Sequence, residues 1–264
     1  MGLFEMIDDQ AHDGAEPIAA TVADQAGAVG PGATQPDIEA EPATAALVFG
    51  QGIERARRYV EALATDGVVR GLIGPREAGR LWSRHLLNSG VVATLLPTGS
   101  RVVDIGSGAG LPGIPLAIAR PDCFIVLVEP LERRTVFLER MVSELELTNC
   151  RVVRGRADQV ITDCGDADVV TSRAVAPLDR LALWSAPLLR IGGELLALKG
   201  SSAAEEVKRD RDTVRRTGLA DLELISVGAG LVEPETLVVH GRRVAVTGHD
   251  RSKKRGGGSS RRPV

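Results

Sequence analysis

The sequence predicts an α/β fold in which a mostly parallel sheet carries helices on both faces, ends in an antiparallel strand and is preceded by a helical cap. Three observations predict this fold. From residue 101 onward, short apolar and β-branched segments alternate with segments of helical spacing. A glycine-rich turn follows the first of these strands, and no helical segment separates the last two strands.

The cap is expected ahead of the sheet. Apolar side chains recur at helical spacing over 45–63, and a second helix is predicted over 75–96, where Pro75 suits a first helical turn. Trp82 and His85 lie in this second helix. Trp82 is predicted to be a core residue, whereas a structural and a functional role both remain open for His85.

The elements of the sheet follow in order. The first strand begins at Arg101 and leads into Gly106. Further strands are expected at 124–128, 151–154, 168–172, 194–198, 222–227 and 236–247, and helices at 112–119, 132–147, 177–189 and 203–217. In an open parallel sheet, ligands bind outside the carboxyl ends of the strands, so a binding crevice is expected at that edge, beside the first strand.

The composition fits a soluble globular protein of 264 residues with 44% hydrophobic residues. No apolar run approaches the roughly 18 to 20 residues that span a bilayer, and the N-terminus lacks the basic and apolar segments of a signal peptide. A cytoplasmic protein without membrane contact is therefore expected. The three cysteines, Cys123, Cys150 and Cys164, form no C-x-x-C pair, which predicts reduced thiols and no metal site.

The net charge of −3 conceals a strong asymmetry along the chain. The first 54 residues contain ten acidic residues and no Lys or Arg, whereas the last 23 contain eight basic residues and one acid. We expect a disordered acidic extension over 1–44, a folded domain over 45–248 whose cap spans 45–97, and a flexible basic tail over 249–264.

The turn after the first strand is the first candidate binding site. Asp104 precedes Gly106, Gly108 and Gly110 in the string D-I-G-S-G-A-G. Glycines at this spacing allow positive φ and close approach of the main chain to a ligand, and the N–H groups of the turn are expected to face that ligand. Glu129 ends the second strand, where a carboxylate can accept hydrogen bonds from ribose hydroxyls. The pattern predicts a nucleotide-like ligand.

Two ligands of this kind fit the turn. Gly108, Gly110 and Gly113 match the dinucleotide fingerprint G-x-G-x-x-G, which indicates NAD and a reductase. The D-x-G-x-G string is typical of S-adenosylmethionine enzymes with a Rossmann-like sheet, and Pro112 inside the turn weakens the dinucleotide match. S-adenosylmethionine is the favoured cofactor, and a NAD-dependent reductase is the alternative.

Polar residues follow the remaining parallel strands as well. Asp158 lies beyond the third strand, where adenine is commonly flanked in such folds, Arg173 follows the fourth strand and Lys199 the fifth. Taken singly, Asp158 or Lys199 is more often a solvated charge than a ligand contact. Their shared position at the strand ends favours a common site.

Four strings, taken together, carry a closer similarity. They are R-H-L-L-N-S at 84–89, D-I-G-S-G-A-G-L-P-G at 104–113, S-R-A at 172–174 and A-L-K-G at 197–200. This combination resembles the RsmG (GidB) family of bacterial methyltransferases over roughly 47–246. The resemblance implies S-adenosylmethionine as cofactor and N7 of a guanosine in 16S ribosomal RNA, within the small ribosomal subunit, as methyl acceptor. Its implied cofactor contacts are Gly106, Leu111, Ala157, Asp158 and Arg173, while Asn88 stands where the family usually has an aspartate.

The chemistry of this acceptor needs few catalytic groups. Guanine N7 offers a lone pair without a proton, so no general base is required, and catalysis depends mainly on alignment. Hydrogen-bond donors near guanine O6 would add electrostatic stabilisation, and Arg173 and Lys199 are the candidate catalytic residues. A methyltransferase acting on another substrate, and a protein of this fold that binds RNA without transferring methyl, remain alternatives.

Overall fold

The structure, a computed structural model, describes residues 38–245. The predicted basic tail and the predicted acidic extension, apart from its last seven residues, lie outside the described residues.

Within the described residues, seven strands form one sheet in the order β3-β2-β1-β4-β5-β7-β6. Strands β1 to β5 pair in parallel, and β7 runs antiparallel to both β5 and β6, which confirms the mostly parallel sheet with an antiparallel last strand. The strands are β1 (Arg101–Ile105), β2 (Phe124–Glu129), β3 (Cys150–Arg154), β4 (Ala167–Arg173), β5 (Leu189–Lys199), β6 (Leu219–Val227) and β7 (Thr236–Arg243).

Helices cover both faces of the sheet, as predicted. They are α1 (Ala45–Phe49), α2 (Ile53–Ala62), α3 (Asn88–Gly90), α4 (Gly113–Ala119), α5 (Glu132–Glu144), α6 (Ile161–Cys164), α7 (Leu178–Ser185) and α8 (Ala203–Arg216). The helix predicted over 177–189 is shorter because Pro187 has no N–H to donate, and a 3₁₀ turn (Ala186–Leu188) leads directly into β5.

The cap is helical but irregular. The segment predicted as one helix over 75–96 is instead a 3₁₀ helix (Pro75–Arg80), a π-helical turn (Leu81–Leu87), α3 and a second 3₁₀ helix (Val91–Leu95). Apolar spacing over so few residues does not distinguish helices with 3₁₀, α or π hydrogen bonding, so this difference lies beyond the sequence pattern.

Two apolar layers hold the sheet between the helices. Successive side chains of a strand point to opposite faces. Val102 of β1 therefore packs with the cap, α4 and α5, while its neighbour Val103 packs with α7 and α8. Because both faces are covered, successive residues in the middle of a central strand are buried and apolar, as Ile125–Val128 of β2 are.

The order of the strands determines where a ligand can bind. From β1 the chain proceeds to β2 and β3 on one side and returns to β4 and β5 on the other. Asp104 of β1 stands in register with Leu127 of β2 and Thr171 of β4. The carboxyl ends of β1 and β4 therefore border the crevice that forms where strand order reverses, as predicted.

Gly113 is the first residue of α4 and lies directly behind β1, where the helix approaches the sheet closely. A Cβ at this position would overlap Leu127 Cδ2 and lie 2.8 Å from Asp104 Oδ2. We expect Gly113→Ala to lower the free energy of unfolding by about 1 to 3 kcal/mol in urea denaturation, because neither neighbour can move freely. Gly200→Ala is the matched control, since a Cβ there meets nothing within 4 Å. Equal stabilities of the two variants would contradict this account.

Candidate active site

Two cavities open at the carboxyl edge of the sheet and share the segment Arg173–Val175, which begins at the last residue of β4. The first cavity, about 640 Å³, lies between the glycine turn, the end of β2 and residues 155–158. The second cavity, about 1010 Å³, lies between the cap, the end of β5 and the start of α8. Both volumes are of the size that holds small molecules or a nucleotide base.

Glu129 ties the glycine turn to the end of β2. Its side chain is 1% exposed. Its Oε2 accepts a hydrogen bond from Gly108 N at 2.9 Å, and its Oε1 accepts one from Leu131 N at 3.0 Å. Arg134 lies 3.5 Å from the same carboxylate. An ionised carboxylate has about four acceptor positions, so Glu129 can hold the turn and still accept hydrogen bonds from a ligand.

Asp104 ties the turn to the end of β1 in the same way. Its Oδ2 accepts a hydrogen bond from Gly113 N at 3.1 Å, and its Oδ1 is buried without a hydrogen-bond partner. Burial, with a further contribution from the charge of Glu129, raises the pKa of Asp104 to about 7. A buried acceptor without a partner costs free energy unless a ligand or water supplies a donor.

The amides of the turn are largely occupied by the protein itself, which corrects the expectation that they face a ligand. Gly106 N and Ser107 N both donate to Val128 O, at 2.8 and 3.1 Å. Gly110 N and Leu111 N both donate to Ser107 O, at 2.7 and 3.0 Å. With the amides of Gly108 and Gly113 bonded to carboxylates, six N–H groups are unavailable to a pyrophosphate. The site therefore offers buried acceptors where a dinucleotide needs donors.

The glycine turn packs against the loop that follows β4. Gly106 has φ +69°, and a Cβ on it would lie 2.8 Å from Val175 Cγ2. Only glycine permits both this backbone conformation and this approach. Ala174, also in the loop, has φ +53°, a strained conformation for a residue with a side chain.

Arg173 stands in the wall between the two cavities and lines both. One guanidinium nitrogen lies 2.6 Å from His85 Nδ1, and the other donates to Ser89 Oγ and His85 O at 3.3 Å. Burial lowers the pKa of Arg173 from its usual high value. The residue therefore belongs to the candidate site, and its side chain is oriented by the cap.

Lys199 lies outside the first cavity. It lines the second cavity but not the first. Its Nζ donates to Ala176 O at 2.7 Å and pairs with Glu206 at 2.8 Å. The lysine is therefore already engaged with a carboxylate, which reduces the charge it presents to a ligand.

The structure brings most of the predicted site residues together. Those that line the first cavity are Gly106, Gly108, Leu111, Glu129, Ala157, Asp158 and Arg173. Asp104 and Gly110 are buried next to them without lining the cavity. Their roles as ligand contacts stay predictions.

Several residues that the sequence analysis did not assign also belong to this region. Tyr59 of α2 donates its hydroxyl to Ala109 O at 2.7 Å, and burial raises its pKa. Trp184 of α7 and Arg134 of α5 line the first cavity, and so does His85. A tyrosine within an amphipathic helix gives no local signal of such a contact, because the partner lies 50 residues away in the sequence.

Comparisons with known proteins agree with this architecture. A family model described as rRNA small subunit methyltransferase G (GidB) matches residues 52–234. A Rhodococcus jostii (strain RHA1) protein named ribosomal RNA small subunit methyltransferase G is 57% identical over 206 residues, covering 77% of this chain and 90% of that protein. The Mycobacterium avium (strain 104) protein of the same name is 50% identical over 243 residues, covering 89% and 98%.

A solved structure from Methanococcus maripaludis shares the fold. It is described as a putative S-adenosyl-L-methionine-dependent methyltransferase and superposes with a TM-score of 0.51, covering 74% of this chain and 94% of that chain. Its sequence identity is 15%, so this similarity concerns the fold alone.

No helix within residues 38–245 is long and apolar enough to cross a bilayer. No group of three or more His, Cys, Asp or Glu side chains in the same residues is arranged to hold a metal ion.

The raised pKa of Asp104 predicts an unusual dependence of stability on pH. A carboxyl whose pKa is about 7 in the folded protein and 3.8 otherwise favours folding at low pH, and that contribution is lost as pH rises through this window. Relative to Asp104→Asn, we expect the wild type to lose roughly 1 to 3 kcal/mol between pH 5 and pH 7, measured by denaturant unfolding. The exposed Asp212→Asn is the control. A difference between wild type and Asp104→Asn that does not change with pH would contradict the prediction.

Proposed function

The chain belongs to the rRNA small subunit methyltransferase G family, and we propose that it transfers a methyl group from S-adenosylmethionine to N7 of a guanosine in 16S ribosomal RNA. The observation that carries this proposal is the pair of cavities that meet at Arg173–Val175. A group transfer needs donor and acceptor sites in contact, and the shared segment provides that contact.

The first cavity fits S-adenosylmethionine by its chemistry. This cofactor supplies a methyl group on a positively charged sulfur, carries an ammonium group and has no phosphate. The carboxylate of Glu129, which lines this cavity, is an acceptor suited to a ligand with cationic and hydroxyl groups, and the unpartnered Oδ1 of Asp104 is buried next to the residues that line it. The occupied amides of the turn disfavour NAD, whose pyrophosphate requires N–H donors. The residues therefore support the methyltransferase over the reductase.

Within this cavity we propose specific contacts. Glu129 would hold the ribose hydroxyls, and Ala157 and Asp158 would flank the adenine. The remaining proposed contacts are Gly106, Gly108, Leu111 and Arg173, which line the cavity, together with Asp104 and Gly110, which are buried next to them.

The second cavity is the proposed place of the acceptor guanine. Guanine N7 and O6 are hydrogen-bond acceptors, and the cavity is lined by the donors Arg84, Arg173 and Lys199. Because N7 carries no proton, the residues need only align the base and stabilise the positive charge that develops on it. No residue is therefore proposed to act as a general base.

The acceptor RNA is proposed to be bound as part of the small ribosomal subunit in the cytoplasm. The names of the relatives support the ribosomal RNA. Several arginines at the β3 edge are candidate phosphate contacts, although Arg154 and Arg156 also lie near Glu132 and Asp158, at 3.2 and 3.6 Å.

The direct test supplies small subunits from a strain that lacks this methylation, together with methyl-labelled S-adenosylmethionine. We expect one labelled methyl per subunit, recovered as 7-methylguanosine from 16S RNA. Label in another nucleoside, or none, would refute the proposed reaction.

The role proposed for Glu129 is tested by cofactor binding. Glu129→Gln is expected to bind the cofactor at least tenfold more weakly, because the amide weakens the hydrogen bond to the turn. The exposed Glu132→Gln is its matched control, and equal cofactor affinities of the two variants would contradict the role proposed for Glu129.

The two candidate catalytic residues are expected to differ in which step they affect. Arg173→Ala should weaken cofactor binding and lower kcat, because Arg173 lines both cavities. Lys199→Ala should leave the cofactor Kd within about twofold and lower kcat/KM for the RNA at least tenfold, because it lines the second cavity alone. Calorimetry and methyl-transfer kinetics measure both effects, with the exposed Lys208→Ala as control. Weakened cofactor binding in Lys199→Ala would assign Lys199 to the first cavity.

A further inference from the structure

A chain of polar contacts links the cap to Arg173. Glu77 Oε2 lies 2.8 Å from His85 Nε2, and His85 Nδ1 lies 2.6 Å from an Arg173 guanidinium nitrogen. The other guanidinium nitrogen donates to Ser89 Oγ and to His85 O. Three successive pieces of the cap, the 3₁₀ helix, the π-helical turn and α3, therefore contribute to one side chain of β4.

The chemistry of these groups determines where the proton of His85 lies. A guanidinium has only donors, so His85 Nδ1 must accept and is therefore unprotonated. The ring proton then resides on Nε2, which donates to the Glu77 carboxylate. Each group in the chain has one compatible role, with Arg173 donating to His85 and His85 donating to Glu77.

The electrostatic environment agrees with this assignment. His85 is 7% exposed, and burial together with the charge of Arg173 lowers its pKa to about 4, so that the ring is neutral near pH 7. Burial opposes ionisation of Glu77, but the hydrogen bond from His85 and the charge of Arg84 lower its pKa below the usual value. A neutral ring between a cation and an anion is the arrangement that the hydrogen bonds require.

The turn that carries His85 is also held from its other side. Thr236 Oγ1, at the start of β7, donates to Asn88 O and Oδ1 at 3.1 and 3.2 Å. The imidazole is thus fixed on a segment that is anchored to the sheet. An arginine side chain has many rotamers, and fixed acceptors reduce the number of orientations it can adopt.

We propose that His85, oriented by Glu77, is a positioning residue that fixes the guanidinium of Arg173 in the wall shared by the two cavities. The proposal rests on the proposed function, because it concerns the alignment of donor and acceptor in that reaction. The cap then has a role in catalysis as well as in packing. A small displacement of Arg173 would disturb both cavities at once, and misalignment of about 1 Å can cost two orders of magnitude in rate.

Two substitutions separate positioning from packing. His85→Asn places an amide oxygen where Nδ1 lies and keeps the acceptor for Arg173, whereas His85→Gln places its amide near Nε2 and loses that acceptor. We expect His85→Asn to retain a kcat at least about tenfold higher than that of His85→Gln, with both variants equally folded by thermal unfolding. His240→Gln is the matched control, because His240 contacts Glu223 and Glu194 outside both cavities.

A second measurement does not depend on turnover. The ¹⁵N shifts of the His85 ring, assigned by their loss in His85→Asn, are expected to report an unprotonated Nδ1 and a protonated Nε2 in the free protein. Arg173→Ala should change the Nδ1 shift most. This readout tests the proposal even if His85→Gln does not fold.

The outcomes distinguish the proposal from the function on which it rests. A wild type that fails to methylate small subunits would refute the proposed function, while the ring shifts would still test the contact between His85 and Arg173. Equal loss of kcat in His85→Asn and His85→Gln at equal stability would overturn the positioning role. A proton on Nδ1 would overturn it as well, because Arg173 could then not donate to the ring.

Discussion

Two buried carboxylates hold the glycine turn, and the rest of the site depends on them. Asp104 at the end of β1 accepts from Gly113, and Glu129 at the end of β2 accepts from Gly108. The turn is thereby fixed at both of its ends to neighbouring parallel strands. Both oxygens of Glu129 accept hydrogen bonds from the protein, whereas Asp104 Oδ1 is buried without a partner. A buried acceptor without a partner costs free energy, so the carboxyl of Asp104 lowers the stability of the fold.

This constraint also explains the choice of ligand. A glycine-rich turn after the first strand is shared by dinucleotide enzymes and methyltransferases, so the glycines do not discriminate between them. The direction of the hydrogen bonds in the turn distinguishes the two classes of enzyme. Six amides of the turn point to acceptors of the protein, and the carboxyl groups of Asp104 and Glu129 place further acceptors beside them. A cofactor with a positive sulfur and an ammonium group is favoured there, and one with a pyrophosphate is not.

The cap joins the two halves of the crevice. Tyr59 bonds to Ala109 in the turn after β1, and His85 bonds to Arg173 at the end of β4. Both contacts are directional, so the cap can orient groups on either side of the point where strand order reverses. The π-helical turn at Leu81–Leu87 presents both the ring and the carbonyl of His85 to the guanidinium of Arg173.

The sequence by itself determined the α/β class, the antiparallel last strand and the position of the glycine turn, because each depends on local periodicity or on glycine at fixed spacing. It also located Glu129 and Asp158 near the turn, because parallel strands end at one edge, whereas Ala157 came from the resemblance to the family. Tertiary structure decided what local patterns do not contain: the pairing of Lys199 with Glu206, the occupied amides and the irregular cap. His85 and Arg173 are 88 residues apart, and their hydrogen bond exists only because packing brings the cap against β4.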